Sequence, residues 1–108
     1  MKYSALLFIL ISWIGIQSVS AEELFDVQAA NDHFNRGLTF YFQKNYSEAI
    51  AEFETSIQID PDNPKAYYFI GYAYYKDRDF SKASDAFRTA YELDSTYAPI
   101  STQPPLTD

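Results

Sequence analysis

A chain of 108 residues with a net charge of −7 and a pI near 4.5 has no clustered lysines or arginines, so the footprint of a phosphate- or nucleic-acid-binding surface is absent. It has no cysteine, which excludes disulfides, thiolate metal sites, a cysteine nucleophile and a lipid-bearing cysteine. A hydrophobic content of 47% argues against disorder, and the length favours one domain.

Met1 to Ala21 has the pattern of a targeting segment. Lys2 gives a short positive end, Ala5 to Ile16 is an apolar run broken only by Ser12 and Gly15, and Val19-Ser20-Ala21 offers small residues for cleavage after Ala21. The alternative is an uncleaved membrane anchor through residues 3–21, which carry no charge. Either way the rest of the chain is expected outside the cytoplasm, periplasmic or secreted.

From Glu22 to Gln43 the spacing predicts one long helix, with Leu24, Val27, Ala30, Phe34, Leu38 and Tyr41 on its inward face. Lys44-Asn45 ends it, with Asn45 expected in the left-handed conformation, and Ser47 is expected to cap the next helix. That helix runs to about Ile59 and turns Ala49, Ile50, Phe53, Ser56 and Ile57 inward. Asp60 to Asn63 make a turn, Asn63 caps, and Pro64 opens a third helix that reaches Lys76. Asp77-Arg78-Asp79 turns the chain, and Ser81 is expected to cap a fourth helix ending near Leu93. Residues 96–108 contain three prolines and read as an extended tail.

The four helices are two copies of one plan. A shift of 34 residues lays Gly37 on Gly71, Phe40 on Tyr74, Tyr46 on Phe80, Ala49 on Ala83, Phe53 on Phe87 and Asp60 on Asp94. At these residues, and at Pro61, Tyr67 and Ala90, the chain resembles the tetratricopeptide repeat family over residues 30–94. The resemblance implies an all-α fold of antiparallel helix pairs stacked as a short right-handed solenoid: repeat 1 at about 30–63, repeat 2 at about 64–95, and a helical extension at 22–29. The family often has glycine in the turn between paired helices, where this chain has Lys44 and Arg78. It often has proline where Ser95 stands, and a large apolar residue where Arg36 stands.

The repeats differ on one stripe. Asp32, Arg36, Thr39 and Gln43 are polar, whereas their counterparts Ala66, Ile70, Ala73 and Asp77 are mostly small or apolar. A stripe that packs on a preceding helix must be apolar, so the array is expected to begin at the first repeat. Asp32 and Arg36 are also placed to pair. At the other end, Ile50, Phe53 and Ile57 become Ser84, Phe87 and Tyr91, which still carry two rings for a neighbour to cover.

No catalytic constellation is present, and an enzyme is not expected. His33 beside Asp32 lacks a nucleophile within a recognisable pattern and reads as a helix-surface residue. Asp60, Asp62 and Asn63 lack the rest of a calcium loop and read as turn and cap residues. No metal or cofactor is expected.

The aromatic stripe carries the functional content. Phe34, Leu38 and Tyr41 are spaced 4 and 3, and Tyr68, Tyr72 and Tyr75 repeat that spacing. The resemblance places them on the concave surface as a partner-binding groove, and places Tyr67 and Tyr74 in the core. Family members that clamp a peptide carboxylate use lysine, asparagine and arginine there; this chain has Phe34, Leu38, Tyr68 and Phe69, so no clamp is expected. Lys65 and Lys76 border the groove. The expectation is an exported interaction module, an adaptor or assembly factor in the cell envelope, that takes a segment of another protein. The alternatives are a homo-oligomer using the groove or the uncapped last repeat, or a groove covered by the chain's own tail.

Overall fold

A computed structural model describes residues 20–98. Four α-helices follow one another: α1 (Ala21–Phe42), α2 (Tyr46–Ile59), α3 (Pro64–Lys76) and α4 (Phe80–Leu93). The described residues contain no strand. Paired helices α1/α2 and α3/α4 pack together, and α3 seats the second pair on α2 and α1. The fold is an all-α helical repeat. Residues 1–19, which make up nearly all of the expected leader, and residues 99–108 of the tail lie outside the described residues.

Local chemistry sets the helix ends. Ser20 caps α1 by accepting the Glu23 N–H at 3.2 Å, the Ser-x-x-Glu spacing of a capping box. Asn63 caps α3 through the Lys65 N–H at 3.1 Å, with Pro64 in the first turn as expected. The caps of α2 and α4 differ from the sequence reading. Tyr46 and Phe80 already belong to the helices, so the N-caps are Asn45, whose side chain makes no capping bond, and Asp79, which accepts the Lys82 N–H at 3.2 Å. Ser47 and Ser81 stand exposed inside the first turns.

The left-handed residue after α1 is Lys44 (φ 64°), with Arg78 (φ 65°) after α3, while Asn45 has φ −90°. In both turns the residue after the left-handed one reaches five residues back: Asn45 N–H to the Phe40 carbonyl and Asp79 N–H to the Tyr74 carbonyl, each 2.9 Å. This is the Schellman closure, which favours glycine at the left-handed position. A non-glycine residue there carries about 1–2 kcal/mol of strain, part of which glycine's freedom in the unfolded chain offsets. Both side chains are exposed. Arg78→Gly and Lys44→Gly are therefore each expected to raise the urea midpoint, by the equivalent of about 0.5–1 kcal/mol. Asn45→Gly, one position on, should not.

The core is built on rings and alanines. Phe53 is fully buried, with Phe34 at a ring-centroid distance of 5.6 Å and Phe69 at 6.5 Å. Ala49, Ala66, Ala73, Ala83 and Ala90 are fully buried and let the helix backbones approach. The Ser56 hydroxyl, also buried, donates to the Ala30 carbonyl at 2.8 Å, so its polarity is satisfied. Gly37 and Gly71 mark the two close crossings, facing the rings of Phe53 and Phe87.

The polar stripe of the first repeat faces solvent. Asp32, Arg36, Thr39 and Gln43 are exposed, whereas Ala66, Ile70 and Ala73 are buried against the first pair. The expected Asp32–Arg36 pair is not formed. Arg36 instead approaches Glu52 at 3.6 Å, and His33 Nδ1 lies 2.7 Å from the same carboxylate, tying α1 to α2. Leu24 and Val27 were expected inward but are exposed, as is Phe25. Helix α1 has 22 residues and α2 only 14, so the first turns of α1 run past the end of their partner.

Candidate functional site: the tyrosine face

The six groove candidates divide. Phe34 is a correction: its ring is buried in the core between Phe53 and Phe69, the latter edge-on at 5.7 Å, with Lys65 Nζ 5.2 Å from its centroid. The spacing that put it beside Leu38 and Tyr41 did not record that α3 would close over it. Leu38 and Tyr41 are half-buried at the edge of the core, and Tyr68, Tyr72 and Tyr75 are half-buried on α3.

Two of these rings are tied together. Tyr68 and Tyr72 stack edge to face at 5.0 Å, and the Tyr68 hydroxyl donates to that of Tyr72 at 3.4 Å. That hydrogen bond, with burial and the neighbouring hydroxyls of Tyr72 and Tyr41, pushes the Tyr68 phenol up to about 12. Tyr41, one repeat earlier, is also raised, by burial and then by Tyr46 and Tyr72. Tyr41 is half-buried on α1, as Tyr68 and Tyr72 are on α3. Both α3 rings rest on Phe87 of α4, at 6.0 Å for Tyr68 and 4.8 Å for Tyr72. Tyr75 leans on Phe80 at 5.6 Å, just as Tyr41 leans on Tyr46 at 5.6 Å. The face is therefore apolar at its base and hydroxylated at its rim, a surface able to bury a partner's side chains while bonding its backbone.

Tyr67 and Tyr74 are the second correction. Neither is buried. With Ile57, Ile70 and Ala86 they line a groove of about 390 Å³ between α2, α3 and α4, on the other flank of α3. The Tyr74 hydroxyl donates to Glu54 Oε1 at 2.8 Å, and Lys82 Nζ lies 5.6 Å from its ring centroid. Burial, followed by the Glu54 carboxylate, raises the Tyr74 phenol well above its ordinary value. Sequence reasoning missed this groove. The 3 and 4 spacing of Tyr67, Ile70 and Tyr74 is visible, but that α2 and α4 diverge over it is not.

The remaining candidates are accounted for locally. Asp60 accepts the Asp62 N–H at 3.3 Å and Asn63 caps α3, so both side chains serve the backbone. Lys76 is exposed at the end of α3.

Comparison with known proteins agrees with this architecture. The TPR repeat description matches residues 37–77, and the tetratricopeptide repeat description matches residues 64–97. Superkiller complex protein 3 of Homo sapiens is 31% identical over 80 residues, 68% of this chain and 5% of that protein. Tetratricopeptide repeat protein 37 of Xenopus laevis is 34% identical over 70 residues, 60% of this chain and 4% of that protein. The chain thus spans about a twentieth of the length of these relatives. Helix pairs offset by 34 residues, a buried glycine at each crossing and two overlapping matches lead to one statement: residues 37–97 are tetratricopeptide repeats.

Proposed function

We propose that this chain docks a segment of another protein on the tyrosine face, and that it does so as an exported adaptor or assembly factor of the cell envelope. Tetratricopeptide repeats are protein-interaction modules. The observation that carries the reading here is the half-buried Tyr68–Tyr72 pair on α3, its rings 5.0 Å apart and its hydroxyls hydrogen-bonded, with Tyr41 half-buried on α1. Export rests on the Met1 to Ala21 pattern, and cleavage after Ala21 would remove Ser20, the cap of α1. A second reading, a homo-oligomer, is favoured by the exposure of Tyr91 and Leu93 on the last helix.

Tyr41→Ala is the direct test. Its ring contacts Tyr46 and Phe42 at the rim, so truncation should shift melting little. Loss of this aromatic anchor should weaken capture of an envelope partner by about 2 kcal/mol, roughly thirtyfold. Tyr72 is a poorer probe, because its ring lies 4.8 Å from that of Phe87 and its loss would disturb the core as well. Undiminished capture by Tyr41→Ala would sink the groove reading. Light scattering separates the adaptor, a concentration-independent monomer, from the homo-oligomer.

A further inference from the structure

The groove between α2, α3 and α4, at about 390 Å³, is large enough to seat side chains of a partner. Its floor is aliphatic, from Ile57, Ile70 and Ala86, and its α3 wall carries the rings of Tyr67 and Tyr74. The two rings differ in their surroundings. Tyr74 already has a cation: the Lys82 ammonium lies 5.6 Å from its centroid and 4.0 Å from the Asp79 carboxylate. Tyr67 has carboxylates near it. Asp62 and Asp60, in the turn before α3, add to burial in raising its phenol. Lys65, the basic residue nearest in sequence, turns away to the Phe34 ring at 5.2 Å. Among the described residues no cation lies over Tyr67, and neither Glu54, Asp60 nor Asp62 forms an ion pair.

We infer that this groove docks a basic segment of another protein, with a lysine or arginine on the Tyr67 ring and an aliphatic neighbour over the Ile57 and Ile70 floor. A cation over a tyrosine ring is held by the ring's negative face, and the flanking carboxylates add their charge. Lys82 on Tyr74 makes the same contact within the chain. Charge complementarity selects the occupant. Residues 99–108 contain no lysine or arginine and end in Asp108, so they would bring only negative charge to a negative site. A second copy carries a net charge of −7 and is repelled. A basic partner with an aliphatic residue beside its cation matches both the rim and the floor. This site does not rest on the tyrosine-face reading, since Tyr67 lies outside that face and Tyr41 outside this groove.

The test selects short random peptides displayed on phage against the full chain, then measures the selected peptides by fluorescence anisotropy. They should carry a lysine or arginine beside a leucine, isoleucine or valine. Gln58→Lys supplies a cation to the groove from an exposed position of α2, and should weaken them about tenfold or more. Tyr67→Leu keeps apolar area without the ring and should weaken them several-fold. Tyr41→Ala should leave them unchanged, and circular dichroism melting checks that each variant folds. A selection that yields no peptide, or peptides without basic residues, overturns the proposal. So does binding that Gln58→Lys and Tyr67→Leu both leave intact, or binding that Tyr41→Ala removes, which would locate the peptides on the tyrosine face. A dimer that Gln58→Lys dissociates would make the occupant a second copy. Markedly tighter binding by a chain lacking residues 1–19 or residues 99–108 would make it that segment; either result also overturns the proposal.

Discussion

Gly71→Leu is expected to unfold the second repeat. A Cβ at this position would lie 2.7 Å from Cε1 and 2.8 Å from Cδ1 of Phe87, closer than carbon atoms approach, before the rest of the leucine is added. Phe87 has little room to retreat, because the rings of Tyr72 and Tyr68 rest on it. Overpacking commonly costs about 1–3 kcal/mol, and a domain this short sits near the low end of the roughly 5–15 kcal/mol that folded proteins have. Circular dichroism melting reads the outcome, and an unchanged melting temperature would mean that α3 and α4 do not cross at Gly71. The alanine variants sharpen the test. Gly37→Ala and Gly71→Ala gain the same helix propensity, about 1 kcal/mol. The Cβ of the first meets Phe53 at 2.6 Å, and Phe53 is fully enclosed, with Phe34 and Phe69 against it. Gly37→Ala should therefore lower melting more than Gly71→Ala.

Phe53→Ala is expected to cost about 3–5 kcal/mol, enough to leave much of the chain unfolded at ordinary temperature. Phe53 has no exposed surface and belongs to the joint between the two repeats, touching rings from both. Its loss would open a cavity that the alanines around it cannot fill, because their side chains end at Cβ. Phe87→Ala removes the same ring from the second repeat, where Phe87 meets only rings of its own repeat, Tyr68 and Tyr72, and should cost less. Urea unfolding of the two variants side by side checks this order. Equal losses would mean that the repeats contribute independently and that α3 adds nothing to the Phe53 site.

Much of this architecture is legible in the residues. Two glycines 34 positions apart, each followed 16 positions later by a phenylalanine, mark both crossings, and the polar stripe of α1 against the apolar stripe of α3 shows which face meets a neighbour. Asn63-Pro64 announces the start of α3. Periodicity and turn chemistry suffice here because they concern one helix at a time. The caps at Asn45 and Asp79 and the left-handed Lys44 were misplaced by one or two residues, since several polar residues in a row compete for each turn.

What the sequence by itself determined is thus the helix pairs, their repeat and, beyond the first turns of α1, their inward faces. Only the tertiary structure decided how deep each ring lies. Phe34 and Tyr68 occupy the same position of their repeats, yet one is sealed by α3 and the other meets a single ring from a turn. Tyr72 and Tyr74 are neighbours in sequence, yet one rests on Phe87 and the other floors an open groove beside Glu54. The reason is physical. A helix's own period says which way a side chain points, but its burial depends on which other helix arrives there, and among the described residues no helix follows α4 as α3 follows α2.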